Sequence, residues 1–140
     1  MLQIFNKWEG PGGLNEHILS ETGCKPYSGA GINPRPAFKT TMLKSVDDTY
    51  YYADNLENPE KVEYTLFGHN GDQDENEKKF NEPFLNPEKT EHIYLYRVTK
   101  DRKQKYIWYG KYKIVGQTIK RNVGKDYAMR NIIVLSMVKI

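Results

Sequence analysis

Two stretches of alternating polarity, residues 92–98 and 106–115, flank a charged segment at 100–104. This pattern commits the chain to a β-hairpin on which everything else must pack. In a strand successive side chains point to opposite faces. Ile93 and Leu95 therefore share one face, and Tyr94, Tyr96 and Val98 the other. In the returning strand Tyr106, Trp108, Tyr112 and Ile114 fall together. Gly110 lies on that face too, which predicts a bulge or a close backbone approach there.

Further strands are expected over residues 37–43, 49–53, 62–67 and 132–138, with a turn at 55–60. Glycines and prolines make residues 1–36 loop-rich, apart from a short helix at 14–20. The polar run 72–80 reads as a second helix, capped by Asp72 and stopped at the latest by Pro83. Gly116 and Gly124 flank a basic connection. Many short strands with one or two short helices imply a mainly β, or α+β, fold. A strongly curved antiparallel sheet or open β-barrel is expected, with Ile93, Leu95, Ile133 and Leu135 inside.

The length of 140 residues suits one domain, 1–140, in which residues 1–28 form a loop-rich extension. The longest aliphatic run, Ile132 to Leu135, is far short of the roughly 20 residues that span a bilayer. No membrane partner is expected. The N-terminus lacks an extended apolar stretch, which argues against a secretory signal. A lone Cys24 excludes an internal disulfide and a multi-cysteine zinc site. An intracellular setting is expected, cytoplasmic or nuclear.

Charge divides the chain. Residues 1–96 carry 9 Lys/Arg against 16 Asp/Glu, and residues 97–140 carry 12 against 2. The basic third holds Tyr106, Trp108, Tyr109, Tyr112 and Tyr127 among its lysines. Cations that neutralise phosphates and rings that stack on bases suit a polyanion. A solvated sheet face edged with lysines accounts for the same pattern. Lys100, Arg102, Lys103, Lys105, Lys120, Arg121 and Lys125 cluster around two loops and are the candidate phosphate contacts.

No catalytic pattern emerges. Residues 72–83 begin like a calcium loop, but Glu77 stands where glycine is needed and Pro83 where glutamate is. His17, His69 and His92 lack metal-ligand spacing, and no nucleotide-binding or nucleophile motif occurs. No metal, cofactor or enzymatic activity is expected. The segment Gly68-His69-Asn70-Gly71-Asp72-Gln73 follows a strand with two glycines and four polar side chains. Asp can accept from the exocyclic amine of cytosine, and Asn or Gln can donate and accept. On chemistry alone, a hairpin turn built from ordinary turn formers explains it better.

Several segments in order resemble the SRA-like (SET- and RING-associated) DNA-binding domains that precede HNH nuclease domains in modification-dependent restriction endonucleases. They are Gly31-Ile32, Tyr52-Ala53-Asp54 and Tyr64-Thr65-Leu66-Phe67-Gly68-His69-Asn70-Gly71-Asp72-Gln73, then Asn81 before Phe84-Leu85. His92-Ile93-Tyr94-Leu95-Tyr96 and Tyr106-Ile107-Trp108-Tyr109-Gly110-Lys111-Tyr112 complete the series, which covers about residues 29–138. Leu66 and Phe67 replace the pattern's Gly and Glu, and His69 its Gln.

The resemblance implies a curved barrel of SRA/PUA type without the nuclease domain. It implies binding of duplex DNA with a methylated or hydroxymethylated cytosine, the base entering an aromatic-lined pocket. Asp72 would read the base, helped by Gly68, His69, Asn70, Gly71 and Gln73, with Tyr64 and Trp108 as walls. An RNA-binding or unmodified-nucleic-acid module, or a protein-interaction domain with a basic face, remains the alternative. The oligomeric state stays open.

Overall fold

A computed structural model describes residues 2–25 and 30–140. Its strands are β1 (Gln3–Phe5), β2 (Ile32–Arg35), β3 (Thr40–Val46), β4 (Lys61–Thr65), β5 (His92–Val98), β6 (Tyr106–Val123) and β7 (Met129–Lys139). Two helices, α1 (Leu14–Thr22) and α2 (Asn81–Leu85), accompany them. The sheet runs β2-β3-β5-β6-β7-β4, and β1 adds to β6. All pairs are antiparallel except β3 with β5, so the sheet is mixed rather than wholly antiparallel.

The sheet is open but curls until its two edges meet through side chains. Tyr64 on β4 shares its hydroxyl proton between the carbonyls of Gly31 (3.0 Å) and Lys44 (3.1 Å), beside β2 and on β3. A tyrosine hydroxyl buried in this way needs such a partner.

The two faces of β5 pack separately. Ile93 and Leu95 join Ile133, Leu135, Tyr64, Tyr112 and Phe84 in the main core. Tyr96 and Val98 join a second cluster under α1, with Leu14, Ile18, Met42 and Trp108. Leu14 and Ile18 are one helical turn apart, which gives α1 its single buried face. Gly23, at φ 82°, ends that helix in the left-handed conformation that glycine adopts without a Cβ penalty.

Several expectations are corrected. The segment 1–28 carries a strand and a nine-residue helix, and its residues 1 and 26–28 lie outside the described residues. The tyrosines at 50–52 form a turn and loop rather than a strand, because Asp48, at φ 61°, turns the chain away as β3 ends. The strand expected from residue 37 begins at Thr40, after a 3₁₀ turn that Pro36 opens and Lys39 closes at φ 53°. Residues 72–80 are turns. Pro83 does not stop a helix but sits in the first turn of α2, where its missing N–H would have no intrahelical partner. Strand β6 continues through the supposed basic connection to Val123.

The bulge is where the glycine placed it, with Gly110 at φ 95° and Tyr109 looped out of register between Leu95 and Tyr96. The extra residue changes the side on which later residues emerge. Trp108 therefore packs under α1, Tyr112 enters the main core, and Ile114 is exposed.

Candidate nucleic-acid interface

The loop leaving β3 folds back across β4 and is fastened by Asp54. Its Oδ1 accepts the Thr65 N–H at 2.8 Å, and its Oδ2 accepts the Ser45 hydroxyl at 2.8 Å. The Ala53 N–H donates to Thr65 Oγ1 at 2.9 Å. These bonds tie the ends of β3 and β4, which do not pair as strands, to one half-buried carboxylate. Burial pushes the Asp54 pKa up, against the lowering effect of its hydrogen bonding to Thr65 and Ser45. A carboxylate has about four lone-pair sites, and two are used here, so acceptor capacity remains.

Asp54 lines a cavity of about 320 Å³. Tyr51, Tyr52, Tyr64, Phe67, His69 and Phe80 supply its aromatic walls, and Lys44 and Thr65 also contribute. Burial raises the Tyr52 hydroxyl to about 12. It raises Tyr64 as well and lowers Lys44. His69 is lowered, first by desolvation and then by Lys125 and Arg130, which favours its neutral form. The site is thus a mostly apolar slot with one half-buried carboxylate acceptor. That suits a flat heteroaromatic ring with a donor on its edge.

A second loop, residues 66–73, forms the adjoining wall. The Leu66 N–H extends the β4–β7 ladder to Ile133 O (2.9 Å), after which the chain loops out. Gln73 then closes the loop on itself and on β7: Nε2 donates to Leu66 O (2.6 Å), and Oε1 accepts the Ile133 N–H (2.8 Å). Asp72 Oδ1 accepts the Asn131 N–H at 2.8 Å. Buried Asn81 bridges Phe67 and Asp74 from behind. Gly68, at φ 141°, packs so close to Gln73 that an added Cβ would lie 3.2 Å from its Cγ.

One buried guanidinium joins the two pocket loops. Arg130 on β7 is 1% exposed. It donates through Nη2 to Tyr51 O (2.6 Å), and through Nη1 to Gly68 O (2.6 Å) and Gly71 O (3.3 Å). Among the described residues no carboxylate forms an ion pair with it, and its Nε is unpartnered. Desolvation lowers its pKa.

Of the residues expected to hold a base, Tyr64 and His69 line the cavity. Gly68, Asn70, Gly71, Asp72 and Gln73 build the loop behind it. Asn70 Oδ1 there accepts the Asp126 N–H at 2.8 Å. Trp108 is not brought to the cavity: it lies under α1 and donates its indole N–H to Glu21 at 2.9 Å. Asp72 anchors loop to strand, a task asparagine performs equally well through its carbonyl oxygen. Asp72→Asn should therefore change melting by no more than about 0.5 kcal/mol in stability and leave ligand discrimination intact. A thermal melt and paired affinities check this.

Among the candidate phosphate contacts, Lys100, Arg102, Lys103 and Lys105 are exposed on the β5–β6 connection. Val98 before it pairs with Val46, at the sheet end where the pocket loop starts. Lys125 sits on the β6–β7 turn with its Nζ 5.9 Å from the ring centre of Tyr51. Arg121 donates to Asn131 Oδ1 at 3.0 Å. Lys120 is engaged differently, paired with Glu63 at 2.8 Å. That pair lies in a wide groove of about 860 Å³, which Asp47, Asp48, Glu57 and Asp54 itself also line. Such a groove repels a polyanion, and none of Lys100, Arg102, Lys103, Lys105, Arg121 and Lys125 lines it.

The signal for Asp54 and Tyr52 stands in the sequence as Tyr52-Ala53-Asp54, one of the matching segments, but nothing local marks it as the pocket floor. Tyr51, Phe80, Lys44 and Arg130 carry no such signal, and Phe67 stands where its matching segment departs from the pattern.

No protein-family profile and no curated protein matches the chain. Solved structures do. The sulfur-binding and SRA domains of ScoMcrA complexed with phosphorothioated DNA align at a TM-score of 0.57 and 18% identity, over 89% of this chain and 37% of that one. The SUVH5 SRA complex with methylated CHH DNA aligns at 0.59 and 19%, over 89% and 82%. The modification-dependent TagI restriction endonuclease aligns at 0.54 and 16%, over 90% and 47%. The chain thus spans little more than a third of the ScoMcrA domain pair. These likenesses establish that the fold is of SRA type, as the resemblance implied. No helix among the described residues is long and apolar enough to cross a membrane.

Proposed function

We propose that this chain is a reader of duplex DNA carrying a modified cytosine, binding the base out of the helix and performing no catalysis itself. The observation that carries this reading is Asp54, a half-buried carboxylate with spare acceptor capacity that lines an aromatic slot. Cytosine presents an exocyclic amine as donor, and a buried acceptor selects for it because an unmatched polar group there is costly. Unstacking a base costs a few kcal/mol, which stacking on aromatic side chains and edge hydrogen bonds must offset. The complexes of SRA-type neighbours with methylated and phosphorothioated DNA support the assignment. Titrating the chain with otherwise identical plain and 5-methylcytosine duplexes tests it. Tighter binding of the modified duplex is expected, and equal affinities would remove the reading.

Phosphate contacts should add a salt-dependent component common to both duplexes, about −0.9 in log–log slope per contact. Replacing Arg121 and Lys125 by glutamine should flatten the slope by about two units. Lys120→Gln should change it less, because Glu63 already neutralises that ammonium. The slopes of the three proteins, measured between low and physiological salt, check this.

A further inference from the structure

Strand β6 outruns its neighbour on one side. Strand β5 leaves it at Tyr112, and beyond that residue only β7 pairs with it. The side of β6 away from β7 is therefore an open sheet edge from Ile114 to Val123. The direction of its backbone groups follows from β7. Asn131 and Ile133 use their N–H and C=O groups on the 66–73 loop, through Asp72, Gln73 and Leu66. They stand opposite Arg121 and Ile119. Those two pairs thus exchange no backbone bonds, and the N–H and C=O groups of Ile119 and Arg121 point away from β7. By the period of two, those of Gln117 and Val123 do the same. Among the described residues nothing bonds to these groups.

The side chains along this edge sort by face. Ile114, Ile119 and Val123 stand opposite Met137, Ile133 and Met129 and share the face of the main core. They lie beyond its cover, and Ile119 is 66% exposed. Lys113 and Lys120, opposite Val138 and Ile132, emerge on the other face. Residues 111–123 hold four Lys/Arg and no Asp/Glu.

We propose that this edge takes up one further strand from a protein partner, an extended segment that alternates aliphatic and acidic residues. Its backbone would complete the ladder, its aliphatic side chains would cover Ile119, and its carboxylates would lie beside the lysines. A second copy of the chain fits badly. It would set the basic strand against itself, and like charges opposed across strands are destabilising. Nucleic acid fits badly too, because the outward carbonyls repel phosphate and the exposed aliphatic side chains of Val115 and Ile119 offer it nothing. The edge is separate from the Asp54 pocket, whose lining includes no residue of β6, so the proposal stands independently of base reading.

The test is amide exchange of the full chain, followed residue by residue by NMR, with a peptide titration. In the free chain the amides of Gln117, Ile119 and Arg121 should exchange fast, and those of Thr118, Lys120 and Asn122 slowly. The probe is a peptide of alternating valine and glutamate, about nine residues long, at the upper end of ordinary strand lengths. Adding it should protect the three fast amides. Ile119→Pro removes an N–H that the β6–β7 ladder does not use. It should melt near the wild-type temperature and bind the peptide about tenfold or more weaker. Lys113→Glu, at an exposed position, should weaken this peptide and favour one of alternating valine and lysine. Protection of the three amides in the free chain, with sedimentation as a dimer, would give the edge to a second copy and overturn the proposal. A peptide that leaves them unprotected overturns it, as does protection by a plain DNA duplex alone. Peptide binding that both variants leave unchanged overturns it as well.

Discussion

Replacing Asp54 by asparagine is expected to lower affinity for the modified duplex by roughly tenfold to a hundredfold, a loss of about 1–3 kcal/mol, without weakening the fold. The amide can reproduce the local bonds: its oxygen accepts the Thr65 N–H, and its nitrogen donates to the Ser45 hydroxyl, which can also accept. Its remaining N–H then confronts the amine of cytosine, donor against donor. Thymine presents a carbonyl at that position, so the variant should gain preference for thymine relative to cytosine. Non-specific binding should persist, because phosphate contacts carry no base information.

The stability effect has a definite sign. Burial holds the Asp54 pKa above its unfolded value, so the folded protein binds that proton more readily than the unfolded chain does. Ionised Asp54 therefore costs stability at neutral pH, and the cost is relieved as pH falls through the raised folded value. Asp54→Asn should melt at or above the wild-type temperature. Asp54→Ala should melt lower, by about 1–3 kcal/mol in stability for each donor left unpaired. Acidification should also weaken modified-base binding at a pH above the ordinary carboxylate range of about 3.9, and the asparagine variant should lack this dependence. Paired titrations across pH, with melting curves, measure all three effects.

The second large effect is expected at Arg130. Arg130→Met leaves the carbonyls of Tyr51, Gly68 and Gly71 without their donor, while removing a buried cation that forms no ion pair among the described residues. Hydrogen bonds to charged groups contribute about 1.5–3 kcal/mol each, and relief of the buried charge offsets part of that loss. A net destabilisation of about 2–4 kcal/mol is expected, measurable by urea unfolding. The two pocket loops should loosen together, so amide exchange should accelerate in residues 49–54 and 66–73 before it does in β5. Discrimination between modified and plain duplexes should shrink while the salt slope stays unchanged, since the guanidinium is buried away from phosphate. Undiminished discrimination in a folded Arg130→Met protein would show that the loops hold their places without it.

Much of the fold was legible because strand period and turn chemistry are local. The β5 faces, the Gly110 bulge and the interior positions of Ile93, Leu95, Ile133 and Leu135 all follow from neighbours in sequence. The site was less legible because its floor and walls come from segments far apart in sequence. Tyr52 and Asp54 sit in a loop whose tyrosine run imitates a strand, and only the turn at Asp48 converts it into a pocket wall. Trp108 looked like a wall until a single extra residue in β6 carried it to the other face. Asp72 has the chemistry to read a base, but Asn131 takes its carboxylate. Arg130 counted only as one more basic residue in a basic third. Its role depends on three carbonyls 59 to 79 residues away.

The most direct test of base reading is a crystal structure of the chain bound to a duplex with one 5-methylcytosine. The modified base should lie outside the helix, in the cavity bounded by Tyr52, Tyr64 and Phe67. Its exocyclic amine should lie about 2.7–3.2 Å from an Asp54 oxygen, the range of a formed N–H···O bond. A 5-methylcytosine still stacked and paired in the duplex, with the Asp54 pocket facing away from the DNA, would contradict the account.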